Sequence, residues 1–555
     1  MTRETDEQSL LDKGVNQDYF WKKGYSYQEE NMTEWLRNAV FYEIYPQSFY
    51  DTNGDGIGDF RGILRKLDYI KSLGCNAIWL NPCFDSPFKD AGYDVRDYEK
   101  TAERYGTNED LCHLFSEAHK KGIRIILDLV PGHTSEEHSW FLESGKAEEN
   151  LFSGRYIWTN GWMQRIEGHP YIGGECDRNG TYMLNFFKCQ PALNYGFLHP
   201  TEDWQKGIND PDCLATRSAI REVIRFWLSK GCDGFRVDMA DSLVKEDDEN
   251  KTGTCEVWRD ILLPIRREYP EAVFVSEWNQ PLMSINSAGF DMDFYLNWPG
   301  NGYNSLLRDY ENGEDNSYFK RNGKGDIRRF LSEYLPRYEA TRDRGYISLL
   351  TCNHDTPRPR RSLTPEELKI AYAVLFTLPG VPFLYYGDEI GMRYLDVPTK
   401  EGGYTRSGSR TPMQWDGTEN AGFSKAKKEN LYLPVDSSRD APTVEKEEKD
   451  PDSLLNVTRR ILKFRQSRKD FCADVPLQVL IGDKDKPFVY RRDRMICMVN
   501  PTDRKETVSL PELFGAIEQL IIGTVETQED KDRKETKAIL DPGSFVIYKC
   551  QNERI

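Results

Sequence analysis

Arg124-Ile-Ile-Leu-Asp-Leu-Val-Pro131 is apolar almost throughout, with one carboxylate towards its C-terminal end. A strand with one face in water alternates apolar and polar residues. A parallel strand covered by helices on both faces reads instead as a near-continuous apolar run. Seven other stretches have this character: 41–46, 77–82, 234–239, 272–278, 290–296, 346–355 and 381–389. Helix-period segments lie between them, such as 61–74, with Ile63, Leu64, Leu67, Ile70 and Leu73 on one stripe. Another opens at Thr364-Pro-Glu-Glu, a capping box with a first-turn proline, and ends at Leu378-Pro-Gly. Eight strands interleaved with helices predict a (β/α)8 barrel or a large doubly wound parallel sheet.

Two connections are much longer than the usual few residues. One follows the third strand, is rich in Gly, Trp, Tyr and Asn, and reads as a small inserted domain. The other, about 393–454, follows the eighth strand and carries Gly-Gly and Ser-Gly-Ser turns and a charged tract at 445–450. Beyond Phe471 the runs 476–481, 487–490, 495–500, 519–522 and 544–549 predict an antiparallel β domain. The polar first 35 residues predict a helical arm.

Composition narrows the function. Lys plus Arg is 74 and Asp plus Glu is 91 in 555 residues, a net charge of −17 that repels phosphate backbones and argues against a nucleic-acid partner. No apolar run approaches the ~20 residues of a membrane span, and the Met1-Thr-Arg-Glu-Thr-Asp-Glu-Gln start has no signal-peptide character. The 12 cysteines include no Cys-x-x-Cys pair, so a reducing, cytoplasmic setting is expected. With seven His and no His-Glu-x-x-His, a zincin-type hydrolase is excluded.

Charged residues recur where the strands end: Asp128 and His133 at the third, Arg236 and Asp238 on the fourth, Glu277 at the fifth, His354 and Asp355 at the seventh. Ionisable groups there are costly unless paired or open to a pocket. Three carboxylates, an arginine and two histidines at one barrel mouth suit an oxocarbenium-like transition state. After the first strand, Asp51-Thr-Asn-Gly-Asp-Gly-Ile-Gly-Asp59 alternates oxygen-bearing side chains with glycine turns, a pattern suited to a hard cation such as calcium. Its expected ligands are Asp51, Asn53, Asp55, the Ile57 carbonyl and Asp59, and its role is structural. It is not an EF-hand, since its twelfth position is Gly62.

Leu127-Asp-Leu-Val-Pro-Gly-His133, Gly234-Phe-Arg-Val-Asp-Met239, Val275-Ser-Glu-Trp278 and Thr351-Cys-Asn-His-Asp355 resemble, in order, four signature regions of the α-amylase family of glycoside hydrolases. Gln190-Pro-Ala-Leu-Asn194 is similar to a fifth. Asn38-Ala-Val-Phe-Tyr-Glu-Ile-Tyr-Pro46 and Ser409-Arg-Thr-Pro-Met-Gln-Trp415 resemble the branch that cleaves oligosaccharides or makes trehalose. The resemblance implies a barrel over 36–133 and 205–467, an inserted domain at 134–204, a C-terminal β-sandwich at 468–555 and an arm at 1–35. It implies a retaining hydrolase with Asp238 as nucleophile, Glu277 as acid and base, and Asp355 as transition-state stabiliser. Arg236 orients Asp238, His133 and His354 bond the same glucose, and Tyr93 stacks on it. Asp94 and Arg410 are expected to pair and close the pocket around a terminal glucose.

Three departures stand out: Gly132 where an asparagine usually binds an interdomain calcium, Ala192 for an aspartate, and Met239 after the nucleophile. The substrates implied are α-1,4-linked malto-oligosaccharides, handled by an α-glucosidase-like monomer or weak oligomer. Endo-acting amylase, a trehalose synthase or glucanotransferase, and a non-catalytic relative are the alternatives.

Overall fold

The computed structural model describes residues 33–550, apart from 297, 299, 311–312, 401–405, 485–486, 512–513 and 531–534. The expected arm lies outside the described residues up to 32; from Thr33 the chain forms a 3-10 turn, Glu34–Asn38, that buries Leu36. All eight expected barrel strands form: β1 Phe41–Ile44, β2 Ala77–Leu80, β3 Arg124–Leu129, β4 Gly234–Val237, β5 Val273–Ser276, β6 Met292–Phe294, β7 Tyr346–Ser348 and β8 Phe383–Tyr385. They pair in parallel in the order β7-β6-β5-β4-β3-β2-β1-β8, and a parallel Leu350–Phe383 bridge closes the ring. The barrel, not the doubly wound sheet, is therefore the fold.

Strand pleat sends alternate side chains to opposite faces. Phe41, Ala77, Trp79, Ile126, Val273, Val275, Met292, Phe294, Tyr346 and Phe383 fill the lower interior as one apolar cluster. Phe41 stacks on Phe383 at 4.4 Å and Trp79 on Phe294 at 5.4 Å. The intervening residues, among them Tyr42, Ile78, Ile125, Leu127, Phe235 and Phe274, pack against the helices in the outer core. Gly234 sits at φ +147° on β4, where an added Cβ would stand 2.0 Å from the Val273 carbonyl oxygen, so only glycine lets β4 lie this close to β5.

The helix expected at 61–74 is two, Phe60–Arg65 and Leu67–Leu73, broken at Lys66 and ended by Gly74 in the left-handed region. The capping box at Thr364 forms with Glu367 and opens Pro365–Leu375. After β3 come the helix Ser139–Ser144 and a hairpin of Tyr171–Gly173 with Thr181–Met183. An unanticipated two-stranded sheet, Phe84–Asp85 with Asp97–Thr101, rises after β2.

The C-terminal strands are β9 Leu477–Ile481, β10 Phe488–Arg492, β11 Met495–Asn500, β12 Glu506–Pro511, β13 Phe514–Ile522, β14 Val525–Asp530, β15 Glu535–Leu540 and β16 Ser544–Cys550. They form an antiparallel sheet β9-β10-β11-β16-β13 and a second of β12-β15-β14. Strands β12, β14 and β15 have no counterpart among the expected runs. Val489, Ile496, Met498, Val508, Ala538, Leu540 and Val546 form one apolar cluster of the domain. Phe488, Tyr490, Cys497, Phe545 and Ile547 join the main core. Buried Arg492 binds this domain to the barrel by donating to the Thr377 carbonyl, beyond the end of Pro365–Leu375, and to that of Cys472, while buried Arg465, on the helix Leu454–Ser467, donates to the carbonyls of Phe376, Leu378 and Gly380. No helix among the described residues is long and apolar enough to cross a membrane.

Candidate active site

The inward row that is apolar at the bottom of the barrel turns charged at the strand C-termini, where barrel enzymes carry their chemistry. Continuing the alternation brings Glu43 above Phe41, Asp128 above Ile126, Arg236 and Asp238 above Gly234, and Glu277 above Val275. Register pairs Asp128 with Arg236 across β3 and β4. Fully buried Arg236 meets three carboxylates: Asp128 Oδ1 at 2.7 Å, Asp238 Oδ1 at 3.0 Å and Glu277 Oε2 at 2.6 Å. Buried charges persist only when paired in this way. Burial pushes the Asp238 carboxyl well up; Arg236 opposes this, while Glu277, Asp128 and Asp355 reinforce it.

The backbone holds these groups as tightly as the charges do. Met239 adopts φ +42°, a strained left-handed conformation for a side chain, and donates its N–H to Glu277 Oε2 at 3.0 Å. On β6, Asp293 accepts from Ser276 Oγ and the N–H groups of Trp278, Asn279 and Gln280, pinning the turn that bears Glu277. Burial lifts the Asp293 carboxyl to about 7.

Residues 349–355 form a loop beyond β7 rather than the strand expected there. Asp355 Oδ2 lies 3.2 Å from His354 Nε2, and its Oδ1 accepts from both Arg406 and Arg410 at 2.8 Å. Burial alone would raise Asp355; His354, Arg406 and Arg410 together hold it well below the usual carboxylate range. Tyr93 stacks on the His354 ring at 5.4 Å, and its hydroxyl donates to Asp128 Oδ2 at 3.1 Å. Asp238, Glu277, Asp355, Arg236, His354 and Tyr93 are thus one connected cluster.

The expected Asp94–Arg410 pair does not form. Asp94 accepts from Ser86 Oγ and from the N–H groups of Lys89 and Asp90, stapling its own turn. Arg410 donates to Asp355 and to the His354 carbonyl. An ion pair forms instead four residues earlier on each side: Arg406 reaches Asp90 Oδ1 at 2.6 Å while also holding Asp355, and Gln190 Nε2 donates to Asp90 at 2.8 Å. Aspartates at both 90 and 94, and arginines at both 406 and 410, left sequence spacing unable to choose. The turn decides, because two N–H groups and a hydroxyl already claim Asp94.

His133 is buried with both ring nitrogens committed: Nε2 donates to the Tyr93 carbonyl and Nδ1 accepts from Asn185 Nδ2, each at 3.0 Å. Burial lowers its pKa to about 3, keeping it neutral. Through Nε2 it holds the Tyr93 backbone beside the cluster. A Cβ on Gly132 would stand 2.8 Å from Asn185 Nδ2, so Asn185 fills the space an asparagine at 132 would take. Lys245 supplies the cation at this junction, donating to Asn185 Oδ1 and the Ser242 carbonyl.

In the loop after β1, Asp51 accepts from the N–H groups of Asn53, Gly54 and Gly56 and from Ser424 Oγ, and Asp59 from Thr52 and Gly62. Among the described residues no three His, Cys, Asp or Glu side chains gather as a preformed metal cage. The donor chemistry does fit a hard cation: Asp51, Asn53, Asp55, Asp59 and the Ile57 carbonyl are all oxygen donors. None of the three aspartates is in an ion pair with a described cationic side chain.

Residues 43–474 match the family model described as alpha amylase, catalytic domain. An oligo-1,6-glucosidase from Heyndrickxia coagulans is 33% identical over 532 residues, 83% of this chain and 90% of its own. A trehalose synthase/amylase from Mycolicibacterium smegmatis is 33% identical over 519 residues, 83% of this chain and 81% of its own. The crystal structure of a trehalose-6-phosphate hydrolase from Bacillus licheniformis superposes with a TM-score of 0.74 at 28% identity, covering 93% of this chain and 100% of that one. The barrel, its charged mouth and these relatives agree, and the chain belongs to the α-amylase family of glycoside hydrolases, enzymes that act on α-glucosidic bonds.

Proposed function

We propose that the protein is a retaining α-glucosidase that removes glucose units from the non-reducing end of short α-gluco-oligosaccharides. The observation that carries this reading is Arg406, which spans Asp90 and Asp355 and walls off one end of the site. A site closed there accepts a terminal ring and not the middle of a chain. Asp238 attacks the anomeric carbon as the glycosidic C–O bond breaks, and Glu277 protonates the departing oxygen. Water then cleaves the Asp238–glucosyl ester, giving its proton to Glu277, so the anomeric configuration is retained. Arg236 balances the charge that moves between Asp238 and Glu277. Asp355 stays ionised beside the ring and strengthens its hydroxyl contacts as positive charge builds.

The linkage expected is α-1,4; the relatives named oligo-1,6-glucosidase favour adding α-1,6 bonds. Products from maltoheptaose, followed in time beside maltose and isomaltose, test the proposal. Early glucose with chains shortening one unit at a time is expected, and a spread of mid-length products would overturn it. Trehalose from maltose would move the protein to the transferase reading, which its relatives named trehalose synthase/amylase support.

Asp51, Asn53, Asp55, Asp59 and the Ile57 carbonyl would hold a calcium ion that pins this loop against 420–432, without touching the chemistry. Chelation with EDTA is expected to lower Tm and added calcium to restore it. An unchanged Tm would exclude the site.

A further inference from the structure

Glu43 is a fully buried carboxylate on β1 to which neither the sequence patterns nor the reaction assigns a task. Its Oε1 stands 3.0 Å from His354 Nδ1. On the other side of the ring, Nε2 lies 2.6 Å from the Tyr93 hydroxyl oxygen and 3.2 Å from Asp355 Oδ2. The Tyr93 O–H proton is spent on Asp128, so the tyrosine oxygen offers His354 lone pairs only. Arg236 donates to the same oxygen at 3.3 Å. Both ring nitrogens therefore face acceptors. A neutral imidazole carries one N–H and one lone pair, so either tautomer would turn a lone pair towards a buried carboxylate or a lone-pair-bearing oxygen. Burial alone would raise the Glu43 carboxyl, while His354 and Asn81 lower it; with Glu43 and Asp355 ionised, the imidazolium is the form that satisfies both sides.

The other neighbours agree with that charge. Asn81 Nδ2 stands 3.0 Å from Nδ1, and the Asn81 amide also hydrogen-bonds Glu43, which favours the ionised form of that carboxyl. Tyr45 and Tyr93 stack on the ring and Trp79 meets it edge-on, so aromatic faces and not cations flank it. The cations nearby, Arg406 and Arg410, are engaged with Asp355.

We propose that Glu43 is a positioning residue of the glucose pocket. With Tyr93 and Asp128 it holds His354 as an imidazolium, a fixed positive charge beside Asp355 that orients the sugar hydroxyls. The consequence for turnover rests on the glucosidase reading; the charge on His354 does not. Burial alone would lower the imidazole, and Asp355 and Glu43 outweigh it, raising the group to about 9. With its pKa raised to about 9, folded His354 keeps its charge at neutral pH; the stability this charge contributes is complete below about 6.5 and is lost as pH rises through about 9.

The test is Glu43→Gln, read two ways on the full chain. Histidine labelled with 13C at Cε1 gives seven imidazole signals, one per histidine, and the His354 signal is assigned by its loss in His354→Gln. In the unsubstituted protein this signal is expected to be that of an imidazolium at pH 7 and to titrate near 9. In Glu43→Gln it should move down by at least about one pH unit, and Glu43→Asp should restore much of the shift. kcat/KM on p-nitrophenyl α-glucoside should fall in Glu43→Gln and recover in part in Glu43→Asp.

A neutral His354 at pH 7 in the unsubstituted protein overturns the proposal, and this reading stands even if Glu43→Gln does not fold. An unmoved titration in a folded Glu43→Gln also overturns it. If no α-glucoside is turned over, the function fails separately and the NMR titration still decides the charge on His354.

Discussion

Two arginine–carboxylate clusters meet at the barrel mouth, and they are built in opposite ways. Around Arg236 every member except Tyr93 sits on, or directly beyond, a parallel strand, and register sets the contacts. Around Arg406 and Arg410 the partners come from irregular loops, and Asp90 and Arg406 are 316 residues apart. In the proposed reaction the first cluster balances charge for the bond-breaking step and the second shapes the end of the pocket. Strand-borne chemistry tolerates little change, whereas loop-borne contacts are where relatives with one catalytic set can differ in substrate.

That contrast gives a ranked set of expectations. Arg236→Met should have the largest effect, since it leaves Asp128, Asp238 and Glu277 without their common counter-charge. Breaking a buried pair this way costs about 3–5 kcal/mol, read by urea unfolding together with loss of activity; a stability within error of the parent would contradict the cluster as drawn. Arg406→Ala should leave the fold closer to native and lower kcat/KM for terminal glucose units about 10- to 100-fold, on the scale of about 1.5–3 kcal/mol for a charged hydrogen bond. Mid-length products should then emerge from maltoheptaose. Asp94→Asn should have the smallest effect, because an amide oxygen can still accept from the Asp94 turn. If Asp94→Asn matched Arg406→Ala in product pattern, the assignment of the closing pair to Asp90 and Arg406 would fall.

Legibility followed the same division. The eight strands could be read because both faces of each are covered, which imprints an unbroken apolar run such as that of β3. Asp238, Arg236 and Glu277 could be read because the period of two carries the inner face from Gly234 or Val275 to the charged end. Strand β7 was read too long, since beyond Ser348 the buried stretch 349–352 keeps only a single bridge, Leu350 to Phe383, before the chain turns into loop. Strands β12, β14 and β15 were missed because their short runs are broken by charged residues, as in Val525–Asp530. Asp90, Arg406 and Glu43 were missed for a different reason. Each is an ordinary polar residue until a neighbour distant in sequence gives it a partner.

The sequence by itself determined the eight covered strands, because pleat and covered faces are local properties repeated along the chain, and its resemblance to a family pointed to the three carboxylates at their ends. Only the tertiary structure decided which aspartate and which arginine close the pocket, why Gly132 is a glycine, and that Glu43 reaches His354. Those answers depend on which surfaces loops bring together and which hydrogen-bonding groups are already taken when they arrive, and spacing along the chain encodes neither.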